Sequence, residues 1–362
     1  MTIVIDAREL RESTGRYIER LLHYLQQIDT EHKYIVLLKP TDIDGWIPDS
    51  KNFKRLACPF KEFTFSEQIG LLRQLRTIKP DLVHFDMVQQ PVLYFGKTVT
   101  TMHDLTTARF TNPSKNQFVY KVKQRIYIWV NKVAARRSKA VIVPTEYVKQ
   151  DVAKFAHVNS RKITVTYEAA DPIDEAAEPL AELIDKPFIM YVGRPMPHKN
   201  LDRLVKAFEI LKKTQPELRL VLAGKKDSNY KKIEREVKNQ NIEDVIFSGF
   251  ISEGQLRWLY ENCLAYIFPS LSEGFGLPGL EAMVAGAPVV SSNATCLPEV
   301  YGDAAAYFDP LSIEDMAATI KRVITSDKTR QKLIDAGKVQ AKRYSWARMA
   351  KETLEVYKEV LG

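Results

Sequence analysis

Short runs of consecutive apolar residues alternate along this chain with stretches whose apolar positions recur every three or four residues. TIVID, YIVLL, DLVHF, TVTTMHD and AVIVPT are runs of the first kind, and Tyr17–Gln27 and Glu67–Lys79 show the second spacing. Strands covered on both faces read as near-continuous apolar runs, and amphipathic helices between them predict parallel sheets built from βαβ units. The alternation pauses after Thr166 at YEAADPIDEAAEPLAELIDKP, an acidic, proline-bearing link. A fresh series then follows: PFIMYVG, LRLVLAG, VIFSGF, LAYIFPS and APVVSS. The pattern predicts an α/β protein of two Rossmann-like domains, residues 1–170 and 171–344, and a last helix within residues 345–362 (RMAKETLEVYKEVLG). Ligands of such sheets bind beyond the carboxyl ends of the strands, so two facing domains would place the substrate cleft between them.

Length supports the two-domain reading, since 362 residues exceed the roughly 100 to 200 of one domain. No apolar run approaches the roughly 20 residues that span a bilayer, and MTIVIDA opens directly as a strand without a signal sequence. Cys58, Cys263 and Cys296 lie too far apart for a disulfide framework or a metal-ligand spacing, which fits a reducing cytoplasm. Charge changes the picture more. Between Leu105 and Ile163 stand thirteen basic residues and only two acids, Glu146 and Asp151, a local excess larger than the net +8 of the whole chain. Residues 116–139 in that stretch read as one helix, with Val119, Val122, Ile126, Val130 and Val133 as its core face. Phe118, Tyr120, Tyr127 and Trp129 are interleaved with lysines and arginines there, a composition suited either to a solvated basic face or to an anionic membrane surface.

The most informative stretch is SEGFGLPGLEAMVAGAPVV, residues 272–290, in which Glu273 and Glu281 flank a glycine-proline turn that runs into a helical pattern. Pro278 suits a first helical turn, because its fixed φ fits and its missing N–H would have had no partner. Gly274, Phe275, Gly276 and Leu277 then present backbone amides at a helix start, where the helix dipole favours phosphate oxygens. Glu281 is placed in the first helical turn as an acceptor for sugar or ribose hydroxyls, and Glu273 just before the turn. Diphosphate donors between two hydroxyl acceptors match the shape of a nucleotide-sugar.

This stretch resembles the E-x7-E motif of retaining glycosyltransferases of the GT-B fold, and the chain from first strand to last helix resembles glycosyltransferase family 4. The resemblance implies that the final helix crosses back to the N-terminal domain. In GRPMPHKN, Gly193 at a strand end lets the backbone approach a ligand, and Arg194 and Lys199 can neutralise a diphosphate from two sides; the resemblance implies that these two hold the leaving nucleoside diphosphate. His103, in MHD after Thr98–Thr101, would contact the transferred sugar, and Asp104 would orient it or bind acceptor or sugar hydroxyls. Gly15, in STGRY, would touch a phosphate, although the family's glycine-rich loop is here reduced to that one glycine. The turn at Phe250 and Ile251 would hold the base through main-chain atoms, and Gly224 in LAGKK reads as a close-approach glycine.

Other chemistries lack their signatures. There is no His/Cys cluster with metal spacing, no G-x-G-x-x-G after the first strand and no Gly-x-Ser-x-Gly elbow. The expected activity is therefore metal- and cofactor-independent, retaining transfer of a hexose from a nucleoside-diphosphate sugar to a glycan or lipid-linked acceptor. Mannose from GDP-mannose is the first choice, on the likeness of SNATCLPEVYGDAAAYFDP to bacterial surface-polysaccharide mannosyltransferases. Other hexoses from UDP- or ADP-sugars and a non-catalytic nucleotide-sugar scaffold are the alternatives. A cytoplasmic location, peripheral on the inner face of the cell membrane through residues 105–163, goes with this reading; a nucleic-acid partner does not.

Overall fold

The computed structural model describes residues 1–12, 14–110 and 117–362, without the side chains of 117–120. Ser13 of STGRY, Lys115 among the basic residues counted above, Asn116 and the side chains of Phe118, Val119 and Tyr120 lie outside the described residues. The chain forms two units. Met1–Ala108, Lys121–Glu168 and Ser345–Gly362 belong to the first, and Arg109, Phe110, residues 117–120 and Ala169–Tyr344 to the second.

Seven parallel strands make the first unit's sheet: β1 (Thr2–Asp6), β2 (Lys33–Leu38), β3 (Phe53–Ala57), β4 (Leu82–Phe85), β5 (Thr98–Thr101), β6 (Ala140–Val143) and β7 (Ile163–Val165). Their order is β3-β2-β1-β4-β5-β6-β7, with Ile3 paired to Tyr34 on one side and Leu82 on the other. Val4, Leu37, Val83 and Phe85 are fully buried against Leu71 and Leu75. The predicted helix over 67–79 begins with a π-type turn at Glu67–Leu71 and continues as α-helix at Leu72–Ile78.

The helix Trp346–Leu361 packs on the first unit although it follows the second in sequence. It buries Met349, Ala350, Leu354 and Tyr357, and its partner is the helix Gly15–Ile28. The Tyr357 hydroxyl lies 2.6 Å from His84 Nδ1, and Lys97 Nζ donates to the Leu361 carbonyl at 3.1 Å.

In the second unit six parallel strands are ordered β10-β9-β8-β11-β12-β13. They are β8 (Phe188–Val192), β9 (Arg219–Ala223), β10 (Val245–Gly249), β11 (Ala265–Phe268), β12 (Val289–Ser292) and β13 (Ala305–Phe308). The chain runs outward from β8 through β9 to β10, then returns to lay β11 on the other flank of β8. Connections therefore diverge between β8 and β11, and the crevice at their carboxyl ends is where a ligand finds room.

The helix of the basic segment spans Gln117–Arg137, and its core face keeps Val130 of the expected set but not Val122 or Ile126. Val130, Asn131, Ala134, Ala135 and Ser138 are buried, whereas Val122, Ile126 and Trp129 are exposed. Small and amide side chains let this helix pack close, with Asn131 Nδ2 donating back to the Tyr127 carbonyl at 2.7 Å, and Val122, Ile126 and Trp129 are turned outward.

Candidate functional site

Three glycines shape the strand exits on the β8 side. Gly193 follows β8 with φ +142° and donates its N–H to the Ala223 carbonyl at 3.0 Å. Gly224 follows β9 with φ +156° and donates to the Gly249 carbonyl at 2.9 Å. A Cβ on Gly224 would stand 2.3 Å from the Gly193 oxygen, so the exits of β8 and β9 approach backbone to backbone and tolerate no side chain there. Beside Gly193 the Arg194 side chain is 74% exposed, with Nε 3.3 Å from Asp227 Oδ2. Asp227 in turn caps the helix Ser228–Asn239 by accepting from the amides of Asn229 and Tyr230. At the next exit Phe250 is 86% exposed and Ile251 half-buried.

The two sides of the β8/β11 crevice meet through Lys199 and Glu273. Lys199 ends a single 3-10 turn, Pro197–Lys199, and its Nζ lies 2.6 Å from Glu273 Oε1 with both side chains mostly covered. The same ammonium stands 5.5 Å from the centroid of the Phe268 ring at the end of β11. An ammonium carries three donors, so a pairing with Glu273 leaves others for an anion. Asn200, which sequence reasoning did not single out, braces this corner. Its φ is +61°, it is buried, and its Nδ2 donates to the carbonyls of Pro269 at 3.0 Å and Pro310 at 2.8 Å.

The loop after β11 is held from below by the segment that follows β12. Glu273 N donates to Thr295 Oγ1 at 3.2 Å, and the Cys296 thiol donates to the Glu273 carbonyl at 3.3 Å. The Tyr301 hydroxyl donates to the Gly276 carbonyl at 2.5 Å. Gly276 has φ +98°, and a Cβ there would meet the Tyr301 hydroxyl at 2.5 Å. Phe275 is buried with its ring edge against Tyr344, so Gly274, Phe275 and Gly276 present mainly backbone to the crevice. The helix that follows spans Leu277–Val284 with Pro278 in its first turn. Glu281 is its fifth residue and therefore lies in the second turn, one turn further in than expected, and is half-buried. Burial, reinforced by the Glu273 charge, pushes the Tyr191, Tyr301 and Cys296 groups up. Cys296 is thereby held as a thiol that braces the loop.

In the first unit His103 follows β5. Its Nδ1 lies 3.0 Å from Glu168 Oε1, its Nε2 lies 3.2 Å from the Asp86 carbonyl, and the Tyr17 ring meets it edge-on at 4.8 Å. Asp104 accepts from the Thr106 amide at 2.7 Å and so starts the short helix Thr106–Arg109. Gly15 opens the helix Gly15–Ile28, and a Cβ there would lie 2.1 Å from the Leu10 carbonyl, so close packing already requires a glycine. Sequence reasoning missed two further groups of this unit. Arg8 is buried and bonded to Asp6 at 2.7 Å and Glu67 at 2.8 Å. His84 sits on Thr101 and Tyr357 with its pKa lowered to about 3, by burial first and by His103 second.

Comparison with known proteins agrees with this arrangement. Residues 14–174 match the family model described as Glycosyltransferase Family 4, and residues 173–340 match Glycosyl transferases group 1. An O-antigen chain mannosyltransferase B of Escherichia coli is 28% identical over 277 residues, covering 72% of this chain and 70% of that protein. The serotype-specific mannosyltransferase WbdA of Escherichia coli is 30% identical over 279 residues, which is 73% of this chain but only 34% of WbdA. Sucrose-phosphate synthase from Thermosynechococcus elongatus superposes with a TM-score of 0.77 at 18% identity over 99% of both chains. Anabaena HepE, solved with UDP and glucose, superposes with a TM-score of 0.73 at 16% identity over 99% of both. Identities this low speak for the fold alone. With two parallel-sheet Rossmann-like units and two family models that together run from residue 14 to residue 340, the chain belongs to the family 4 and group 1 glycosyltransferases of GT-B architecture.

Proposed function

We propose that this protein transfers a hexose, with retention of configuration, from a nucleoside-diphosphate sugar to a glycan or lipid-linked acceptor in surface-polysaccharide or glycolipid synthesis. The observation that carries this reading is the Lys199–Glu273 pair at the β8/β11 divergence, beside the glycine-led helix start at Gly276. Arg194, Lys199 and the amides around Gly276 and Leu277 hold the diphosphate, Glu281 takes the ribose, and Glu273 takes hydroxyls of the sugar. The main chain at Phe250 and Ile251 holds the base, and His103 contacts the transferred sugar. Catalysis on this reading is positioning plus stabilisation of the charge on the departing diphosphate, which helps deprotonate the acceptor on the same face. No metal ion or cofactor takes part in it. Mannose from GDP-mannose is the first choice of donor, supported by the two mannosyltransferase relatives. HepE, solved with UDP and glucose, keeps a glucosyl donor as the second choice.

Isothermal titration with GDP, UDP and ADP tests the site and the base together. One diphosphate is expected to bind, with affinity lost at least tenfold in Glu281→Ala. Absence of binding by all three would turn the assignment toward a scaffold without nucleotide-sugar chemistry.

The exposed face of the basic helix supports a second part of the proposal, docking on an anionic membrane. No helix among the described residues is long and apolar enough to cross a bilayer. Val122, Ile126 and Trp129 are exposed, and Arg125, Arg136 and Arg137 share that side of the helix. The Arg137 guanidinium stands 5.1 Å from the ring of Phe95, itself 75% exposed, so a loop after β4 extends the face. Aromatic and aliphatic groups rimmed by cations fit the boundary of an anionic bilayer, at about 1 kcal/mol per basic residue near the surface. In a vesicle co-sedimentation assay the protein should bind phosphatidylglycerol vesicles at low salt and release from them as salt rises. Trp129→Ala should weaken that binding, and equal binding to neutral vesicles would refute electrostatic docking.

A further inference from the structure

We infer that Glu168 is the positioning residue of His103, fixing the proton on Nδ1 so that Nε2 is the ring nitrogen that gains and loses one. This inference rests on the reading above in which His103 meets the transferred sugar. The geometry is closed on three sides. The Glu168 carboxylate is 3.0 Å from Nδ1, the Asp86 carbonyl is 3.2 Å from Nε2, and the Tyr17 ring packs edge-on at 4.8 Å. Both atoms facing the ring nitrogens are acceptors only, which makes the choice of tautomer a competition between them. A carboxylate makes the shorter and stronger charge-assisted bond, and Glu168 is only 6% exposed, so solvent screens the contact little. Nδ1 therefore keeps its proton whether the ring is neutral or charged.

The position of Glu168 fits this part. It follows β7, two strands along the sheet from β5, which His103 follows, so the bond spans the carboxyl edge of the sheet. Tyr17 holds the ring from the helix Gly15–Ile28 and donates to or accepts from Thr101 Oγ1 at 3.1 Å. The ring thus has one edge set by a charge and one face set by packing. His103 retains 16% exposure, which leaves part of the ring open. With Glu168 removed, the Asp86 carbonyl is the acceptor left at the ring, and a neutral imidazole turns its proton to Nε2.

Nitrogen-15 spectra of histidine-labelled protein test this without any substrate. At about pH 9, well above the usual imidazole range, His103 of the wild type should carry its proton on Nδ1, and in Glu168→Ala on Nε2. The same tautomer in both proteins overturns the inference. Turnover supplies the second readout. Glu168→Ala and His103→Ala should each lower kcat by roughly tenfold or more, and the double variant should be no slower than the slower single one, as for groups that act as a unit. Glu168→Gln, whose amide oxygen still accepts from Nδ1, should keep most of the turnover and the wild-type tautomer. Multiplying effects, or a Gln variant as slow as the Ala variant, would count against Glu168. Wild-type turnover in His103→Ala would instead sink the role of His103 in the reaction, while the spectra would still decide the Glu168 bond.

Discussion

Lys199→Ala should lower the rate of sugar transfer by on the order of 10²- to 10³-fold, the loss typical of one donor aimed at developing charge. The lysine is the cation that joins the two sides of the β8/β11 crevice, and its ammonium is mostly covered beside Glu273 and the Phe268 ring. When a diphosphate leaves, negative charge accumulates where the carboxylate already stands, and removing the ammonium leaves the two anions facing each other. The loss should appear in diphosphate affinity as well as in kcat, because ground and transition states both carry that charge. It should not appear as unfolding: Asn200, which braces the corner, bonds to Pro269 and Pro310 and not to Lys199. Lys199→Arg should recover part of the activity, since the guanidinium keeps the charge but forks differently. Steady-state kinetics on the three proteins, with circular dichroism as the folding check, decides it. Turnover of Lys199→Ala within threefold of wild type would remove the lysine from the mechanism.

The largest stability effect is expected at Arg8. Replacing it with methionine should cost roughly 3–5 kcal/mol, the range for breaking a buried ion pair by removing one partner. Asp6, Arg8 and Glu67 are all buried, and the guanidinium also donates to the Phe60 carbonyl at 2.8 Å. Without it two carboxylates remain covered with no cation between them. Their pKa values in the folded variant then rise above the unfolded ones. Stability of such groups is fully present below the unfolded pKa and is lost as pH rises through the folded pKa. Glu67 already leans this way, raised by burial against the pull of Arg8. Arg8→Met should therefore lie closer to wild type at about pH 4 than at pH 8, and adding Asp6→Asn with Glu67→Gln should restore part of the loss. Thermal denaturation at the two pH values measures this; a variant as stable as wild type at pH 8 would show that the triad contributes nothing.

Most of the architecture could be read from the chain because interior parallel strands are apolar on both faces. β1, β4 and β6, and β8, β9 and β11, announce themselves in this way, and β5 (TVTT) and β12 (VVSS) by β-branched or apolar residues beside small hydroxyls. The strands that escaped were β3, β7 and β13, and each stands at the edge of its sheet. Edge strands are covered on one side only, so FKRLA exposes Lys54, Arg55 and Leu56, and AAYF is short and alanine-led. The site in the second unit was legible for a local reason: its residues sit within a few positions of strand ends, so motif and geometry coincide. Contacts between distant parts of the sequence were not. Arg8 and Glu67 stand 59 residues apart, His103 and Glu168 stand 65 apart, and no periodicity connects either pair. The basic helix misled for a different reason. Val122 and Ile126 imitate a core face but are exposed, while the inner face keeps Val130 of the expected set and is otherwise built from Asn131, Ala134, Ala135 and Ser138.

The helix Trp346–Leu361 makes the first unit a structure whose chain is interrupted by the second. On the ribosome, residues 169–344 emerge before the piece that covers the first unit at the helix Gly15–Ile28, at His84 and at Lys97. The second unit can therefore complete its own sheet during synthesis, whereas the first must wait with one face of its core uncovered. A nascent chain of this protein is exposed to chaperones through its N-terminal half for longer than sequence order alone would suggest.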